Sequence, residues 1–297
     1  MSTFSDSYTL VTQTGRKLVY SQVGENDSSQ VLLCLPGLLE TRGSYGPLLR
    51  ALDGVTGLRV ISVDLCGRGD SDPLPTDAGY SLSLYLSDIE ALIQQEIVGY
   101  ADAKPRLDIL GTSMGGILGM YLAASPKNNV TGLLLNDVGM GLHWMSIYGL
   151  YESMKTEGLK PEAYNLASRL RVTQGALRDV QSPHHFDLPH TKNWKGMHFG
   201  QILKTFVGPL SLIYGGESGV CLPEQVQEMQ DKFPQLVTLC IEKAKHPVPY
   251  SEAVCAFVLE QMQVKTNHQV LPDSSSEVRA AKNWRKKVFK WLRKKIK

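Results

Sequence analysis

Residues 107 to 124 read Leu-Asp-Ile-Leu-Gly-Thr-Ser-Met-Gly-Gly-Ile-Leu-Gly-Met-Tyr-Leu-Ala-Ala. No other stretch constrains the chain as tightly. An apolar run ending at Ile109-Leu110 stops at Gly-x-Ser-x-Gly and resumes through Ile117, Leu118, Met120, Tyr121 and Leu122, so a buried strand passes through a tight turn into an apolar helix. A serine at such a turn takes a strained backbone conformation, and the residues two before and two after it come so close that only small ones fit. Gly111 and Gly115 meet that need. Ser113 then projects its hydroxyl above the sheet, and the helix opening at Met114 aims free N–H groups and the positive end of its dipole at the same point.

This is the setting of a nucleophile elbow, prepared for a developing oxyanion. The bland alternative makes Ser113 an ordinary helix N-cap. The strand-turn-helix context favours the elbow, because the pentapeptide alone recurs by chance in unrelated loops.

The rest of the chain alternates. Residues 8 to 23 predict a hairpin around Thr14-Gly15, with Leu10, Leu18 and Tyr20 covering a sheet edge. Buried strands follow at Val31–Leu35 and Leu58–Asp64, the first closing at Pro36-Gly37-Leu38-Leu39 and the second at Gly67-Arg68-Gly69-Asp70-Ser71. A helix is expected through Leu48, Leu49 and Leu52, and an amphipathic one over Leu84–Val98. Beyond the elbow come a strand from Val130 to Leu135 reaching Asn136-Asp137, another at Leu210–Tyr214, a helix from Pro223 to Phe233, a strand at Val237–Ile241 and a last helix from about Tyr250 to Met262. Strands alternating with helices predict an α/β domain with a mostly parallel sheet and helices on both faces. Residues 140 to 206 hold helix-like segments without a clear strand and predict a helical cap over that sheet.

The whole resembles the α/β-hydrolase superfamily, over roughly residues 8 to 263, and within it small serine esterases and lipases with a Gly-Thr-Ser-Met-Gly elbow. Besides the elbow, the resemblance rests on Pro36-Gly37, on Gly67 to Ser71, on Leu-Asn-Asp-Val-Gly at 135 to 139, and on His246-Pro247 after the last strand. It explains Arg68-Gly69-Asp70 as a structural turn rather than an adhesion tripeptide.

A serine hydroxyl is a poor nucleophile at pH 7 without a base in hydrogen-bond reach. His246 follows the last predicted strand, whose end converges on the sheet edge that carries Ser113, and the resemblance implies the catalytic histidine there. His143, His184, His185, His190 and His198 lie in the cap and His268 near the linker; no convincing metal-ligand spacing appears and no cofactor is called for. The acid departs from the family pattern, since Gly215-Gly216-Glu217-Ser218-Gly219 has glycine where most relatives carry aspartate. Asp137 at the end of its strand is the favoured substitute, Glu217 the alternative. The fold implies an oxyanion hole from the backbone N–H groups of Leu38 and Met114. Such a site predicts hydrolysis of carboxylic esters through an acyl-enzyme. Thioesters, lactones and carbon–carbon bonds beside a carbonyl use the same apparatus, whereas a serine at the elbow argues against the branches that attack through a carboxylate.

The cap's Trp144, Met145, Tyr148, Tyr151, Met154 and Phe206 read first as packing, with some lining an entrance for an apolar acyl group. Five cysteines without paired spacing, Cys34, Cys240 and Cys255 among them in apolar runs, suit a reducing cytoplasm, and the start shows no secretory pattern. Residues 279 to 297 contain ten Lys or Arg and no acid, which leaves 21 basic against 29 acidic residues and a net charge of −8 for the body. As a helix this tail places Ala281, Trp284, Val288, Trp291 and Leu292 on one face, the pattern of a segment lying on an anionic membrane, here at the inner face. The chain thus divides into a hydrolase domain over 1 to 263 with the cap at about 140 to 206, a linker over 264 to 278, and the tail. Two other functions compete: a non-catalytic binding protein on the same fold, suggested by the missing acid, and a tail-driven nucleic-acid or protein adaptor, which the acidic body disfavours.

Overall fold

The computed structural model describes residues 7–75, 79–99, 104–146, 176, 183–193 and 195–267. The predicted hairpin is present as β1 (Tyr8–Val11) and β2 (Lys17–Val23), paired antiparallel with Leu10 opposite Leu18. β3 (Gln30–Leu35) and β4 (Leu58–Val63) are buried at every residue, as mostly apolar strands are when helices cover both faces of a sheet. Between them lies α1 (Gly46–Leu52); after β4 comes α2 (Leu82–Leu92), whose path continues as a wider π-type helix over Ile93–Val98. The elbow unit follows as β5 (Arg106–Thr112), α3 (Met114–Ala124) and β6 (Val130–Asn136).

The predicted cap contains strands after all: β7 (Gly141–His143), β8 (Thr191–Asn193) and β9 (Gly196–His198) form a small antiparallel sheet in the order β7-β9-β8. Each spans three residues, too short for a period-2 alternation to register in sequence. The described cap also holds helical residues at 144–146 and 176, a 3-10 turn at Pro183–Phe186 and the short α4 (Gly200–Leu203). Tyr148, Tyr151 and Met154 lie outside the described residues. Phe206 is buried and Trp144 packs edge-on against Phe186, as core residues do, whereas Met145 is exposed.

The chain then returns to the main sheet through β10 (Leu210–Gly215), α5 (Pro223–Lys232), β11 (Val237–Ile241) and α6 (Glu252–Asn267). Since α6 runs to Asn267, the first residues assigned to the linker are helical; residues 268–297, with the basic tail, lie outside the described residues. Cys240 is exposed at this end of the sheet rather than packed like the buried Cys34 and Cys255.

The main sheet has eight strands in the order β1-β2-β4-β3-β5-β6-β10-β11, parallel from β4 onward and antiparallel at the β1-β2 edge. Leu48, Leu52, Val254 and Val258 of α1 and α6 join the apolar cluster on one face, while Ile89 of α2 and Ile117 and Leu118 of α3 belong to the cluster on the other. Parallel strands deliver all their C-terminal ends to one edge, so the loops after β3, β5, β6, β10 and β11 converge there. Among the described residues no helix is long and apolar enough to cross a membrane.

Candidate active site

At the end of β5 the chain reverses in one residue: Ser113 has φ 51° and ψ −118°, a conformation that side chains seldom adopt. Its N–H bonds to the Asn136 carbonyl at 3.0 Å, and its own carbonyl accepts from Gly116 at 2.9 Å, so strand and helix hold the turn from both sides. The two glycines are required as expected. A Cβ on Gly111 would collide with the Gly115 carbonyl, and one on Gly115 with the carbonyl of Leu35 in β3.

Beneath the elbow lies a buried hydroxyl network. Thr112 Oγ1 is 3.0 Å from the Tyr45 hydroxyl and 2.7 Å from that of Tyr250, and Tyr45 donates to the Leu35 carbonyl at 2.6 Å. Burial pushes both phenols well above their ordinary range, so the network stays neutral and anchors the floor of the site.

Register carries the next residue into place. Thr112 pairs with Asn136 across β5 and β6, so Asp137 emerges beside Ser113. Asp137 also has a positive φ of 58°, and its N–H bonds to Ile213 of β10 at 2.7 Å. Its carboxylate is fully buried and saturated: Oδ1 accepts from Gly215 N–H at 3.0 Å, and Oδ2 from the Ser218 hydroxyl at 2.8 Å. His246 Nδ1 lies 2.8 Å from the same Oδ2, and His246 Nε2 lies 2.9 Å from Ser113 Oγ. A carboxylate only accepts, so Nδ1 carries the proton and Nε2 is left to take one from the serine. Asn136 Nδ2 donates to the Val248 carbonyl at 2.9 Å and ties the histidine loop to β6. The imidazole keeps about a fifth of its surface open, which leaves Nε2 approachable from the site.

Of the two expected acids, Asp137 meets His246; Glu217 is exposed on the loop after β10, its N–H bonded to the Ala244 carbonyl. Leu38 and Met114 flank the serine from the β3 loop and the start of α3. Neither backbone N–H donates to another group among the described residues. A Cβ on Gly37 would stand 3.5 Å from Ser113 Cβ, which measures how closely the β3 loop approaches the hydroxyl.

Other groups do not compete. Burial, with the charge of Asp137 adding to it, pushes the neighbouring Cys221 thiol up to about 12, so it remains protonated and unreactive. Of the cap histidines, His185 is buried against the Tyr80 carbonyl and His198 bonds to Glu228. The side chains of His184 and His268 lie outside the described residues. Among the described residues no cluster of three or more His, Cys, Asp or Glu could hold a metal ion. Sequence reasoning missed Ser218, whose hydroxyl donates to the Asp137 carboxylate, and Glu40, whose carboxylate accepts the Gly37 N–H at 2.8 Å.

A strained serine above a mostly parallel sheet, with a histidine and a buried aspartate on adjoining loops, defines a hydrolase-type site on an α/β-hydrolase fold. The family model for the α/β-hydrolase fold matches residues 30–154, and the chain has that fold. It is 39% identical over 123 residues to a 3-hydroxybutyrate-oligomer hydrolase of Cupriavidus necator, a match covering 41% of this chain and only 39% of that protein. It is 24% identical over 269 residues to a mouse sn-1-specific diacylglycerol lipase, covering 81% of this chain and 85% of the lipase. Among solved structures it is similar to an α/β hydrolase from Novosphingobium aromaticivorans, with a TM-score of 0.66 at 21% identity over 87% of this chain and 98% of that one. It is also similar to an enol-lactonase from Burkholderia xenovorans, with a TM-score of 0.64 at 17% identity over 86% of this chain and all of the other.

Proposed function

We propose that the protein is a serine hydrolase of carboxylic esters in which Ser113 is the nucleophile, His246 the base and Asp137 the acid. The observation that carries this reading is the unbroken line Ser113 Oγ–His246 Nε2 at 2.9 Å and His246 Nδ1–Asp137 Oδ2 at 2.8 Å. As Ser113 Oγ adds to the ester carbonyl, its proton passes to Nε2, and Asp137 stabilises the resulting imidazolium through Nδ1–H. The N–H groups of Leu38 and Met114 receive the oxyanion. The imidazolium then protonates the leaving alcohol, an acyl-enzyme remains on Ser113, and water deprotonated by the same imidazole releases the acid. Similarity to an oligomer hydrolase and to a lipase supports an ester as the bond cut, and an apolar acyl group is the substrate class we assign.

The test is labelling with a fluorophosphonate and mapping of the adduct. Attachment at Ser113, with loss of labelling and of ester hydrolysis in Ser113→Ala, supports the reading; undiminished turnover in that variant overturns it.

We further propose that residues 279–297 dock the enzyme on an anionic membrane surface. Ten cations each contribute about 1 kcal/mol near anionic lipid, and the face bearing Trp284 and Trp291 adds apolar transfer energy. Full-length protein should cosediment with anionic but not zwitterionic vesicles, less so in salt. Truncation after Glu277 should abolish this while sparing soluble esters, and equal sedimentation of the two proteins removes docking from the account.

A further inference from the structure

The loop after β3 has to present one N–H, that of Leu38, and keep its other polar groups out of the way. Gly37 and Leu38 together carry four backbone polar groups, and three of them are held. The Gly37 N–H donates to Glu40 Oε2 at 2.8 Å, the Gly37 carbonyl accepts from the Glu40 N–H at 3.2 Å, and the Leu38 carbonyl accepts from Arg68 Nε at 2.8 Å. Only the Leu38 N–H is left without an acceptor among the described residues. Two side chains from different loops therefore fix both faces of one short segment.

Neither side chain sits there cheaply. Arg68 is 1% exposed and makes no ion pair among the described residues. Its Nη1 donates to the Cys66 carbonyl and the Tyr85 hydroxyl, its guanidinium stacks 4.9 Å from the Tyr85 ring centroid, and its Nη2 is buried without a hydrogen bond. A buried cation lacking a carboxylate partner is costly in an ordinary loop. Beside a segment that must meet a forming oxyanion, its positive field is of use. Glu40 accepts the Gly37 N–H across the same turn and lies near His246, a carboxyl that burial holds above its usual range.

We propose that Glu40 and Arg68 are positioning residues that lock the Gly37-Leu38 segment, leaving the Leu38 N–H as its single free donor aimed at the carbonyl oxygen of a bound ester. This rests on the serine-hydrolase reading. Neither residue touches the reacting atoms; each acts through the peptide that it holds.

The test compares Glu40→Leu, Glu40→Gln, Arg68→Met and Arg68→Lys with the full-length wild type, using a short soluble ester and its thionoester, in which sulfur replaces the carbonyl oxygen. Because loss of an oxyanion donor costs about 10²–10³ in rate, displacing one should lower kcat roughly 10- to 100-fold with KM within about threefold. The loss should fall mainly on the oxygen ester, since sulfur accepts hydrogen bonds poorly and relies less on that donor. Gln retains an acceptor for Gly37 N–H, so Glu40→Gln should stay within about fivefold of wild type. Wild-type kcat in folded Glu40→Leu and Arg68→Met, or equal losses on both esters, overturns the proposal. If Arg68→Met fails to fold, Glu40→Leu decides alone. A wild type that takes no fluorophosphonate at Ser113 removes the serine-hydrolase reading instead, whereas a labelled Ser113 with unaltered Glu40→Leu kinetics overturns the clamp only.

Discussion

Ser218 Oγ donates at 2.8 Å to Asp137 Oδ2, the oxygen that also faces His246 Nδ1. The loop after β10, which carries no aspartate of its own, thus takes part in the site by steadying an aspartate borne on the neighbouring strand. Ser218 is held in turn by the N–H groups of Val220 and Cys221, at 3.1 and 3.0 Å, so its hydroxyl proton has one destination.

This arrangement ranks three substitutions. Asp137→Asn should lower kcat by roughly 10³- to 10⁴-fold, because an amide favours the wrong imidazole tautomer. Ser218→Ala should cost about tenfold by loosening the carboxylate, and Glu217→Gln should stay within about twofold because that side chain is exposed. Steady-state kinetics on folded proteins checks the order; a larger loss from Glu217→Gln would reverse the assignment of the acid.

A second expectation concerns the elbow. Gly115→Ala drives a methyl group into the Leu35 carbonyl, a backbone atom that cannot swing aside. Its unfolding free energy should fall by roughly 2 kcal/mol or more, measured by urea denaturation, with loss of turnover beyond the loss of folded protein. A variant as stable and active as wild type would mean that β3 and α3 are not so closely packed.

Arg42 and Asp64 form a buried ion pair behind the β3 loop; Arg42 N–H also donates to Asp64 Oδ1 at 2.8 Å, and Arg42 Nη2 to Asp70 at 2.6 Å. Removing one partner strands the other charge, so Arg42→Met should destabilise by about 3–5 kcal/mol. Thermal or urea unfolding measures it, and a change below about 1 kcal/mol would show the pair to be dispensable.

Glu40 gives stability a pH dependence of definite sign. Burial, outweighing its hydrogen bonds and His246, raises its carboxyl above the ordinary glutamate value of 4.5. The native state therefore binds this proton more tightly than the unfolded chain does. The corresponding stability is fully present below pH 4.5 and is lost as pH rises through the higher native value. Glu40→Gln lacks this loss, so its stability relative to wild type should increase between about pH 4 and pH 8 in paired urea titrations. A constant difference would place Glu40 in an ordinary aqueous environment.

The legible parts of this site were those that impose themselves on residue type. Strain and close approach demand glycine at 111 and 115, and burial on both faces makes β3, β4 and β5 mostly apolar, with Val31–Leu35 an unbroken run, so elbow and sheet could be read directly. Asp137 was readable as a carboxylate at a strand end and was favoured over Glu217 on that ground; that it meets His246 while Glu217 stays exposed depends on the β5–β6 register and the path of the loop after β11. Ser218, Glu40 and Arg68 could not be found this way. They act on backbone groups of other loops, and a serine, glutamate or arginine in a polar loop carries no periodic mark. The strands Gly141–His143, Thr191–Asn193 and Gly196–His198 were hidden by their brevity.

Ser113 and Asp137 are both carried by one β5-α3-β6 unit, whose strands pair directly, while His246 arrives 109 residues beyond Asp137 from the loop after β11. The serine and aspartate can be set side by side as soon as that single crossover closes. In the proposed mechanism a growing chain can therefore hold its hydroxyl and carboxylate before it holds its base, which enters only once the segment bearing His246 is made and docks. On that reading, the order of synthesis would keep hydrolysis from starting until all eight strands of the main sheet are made.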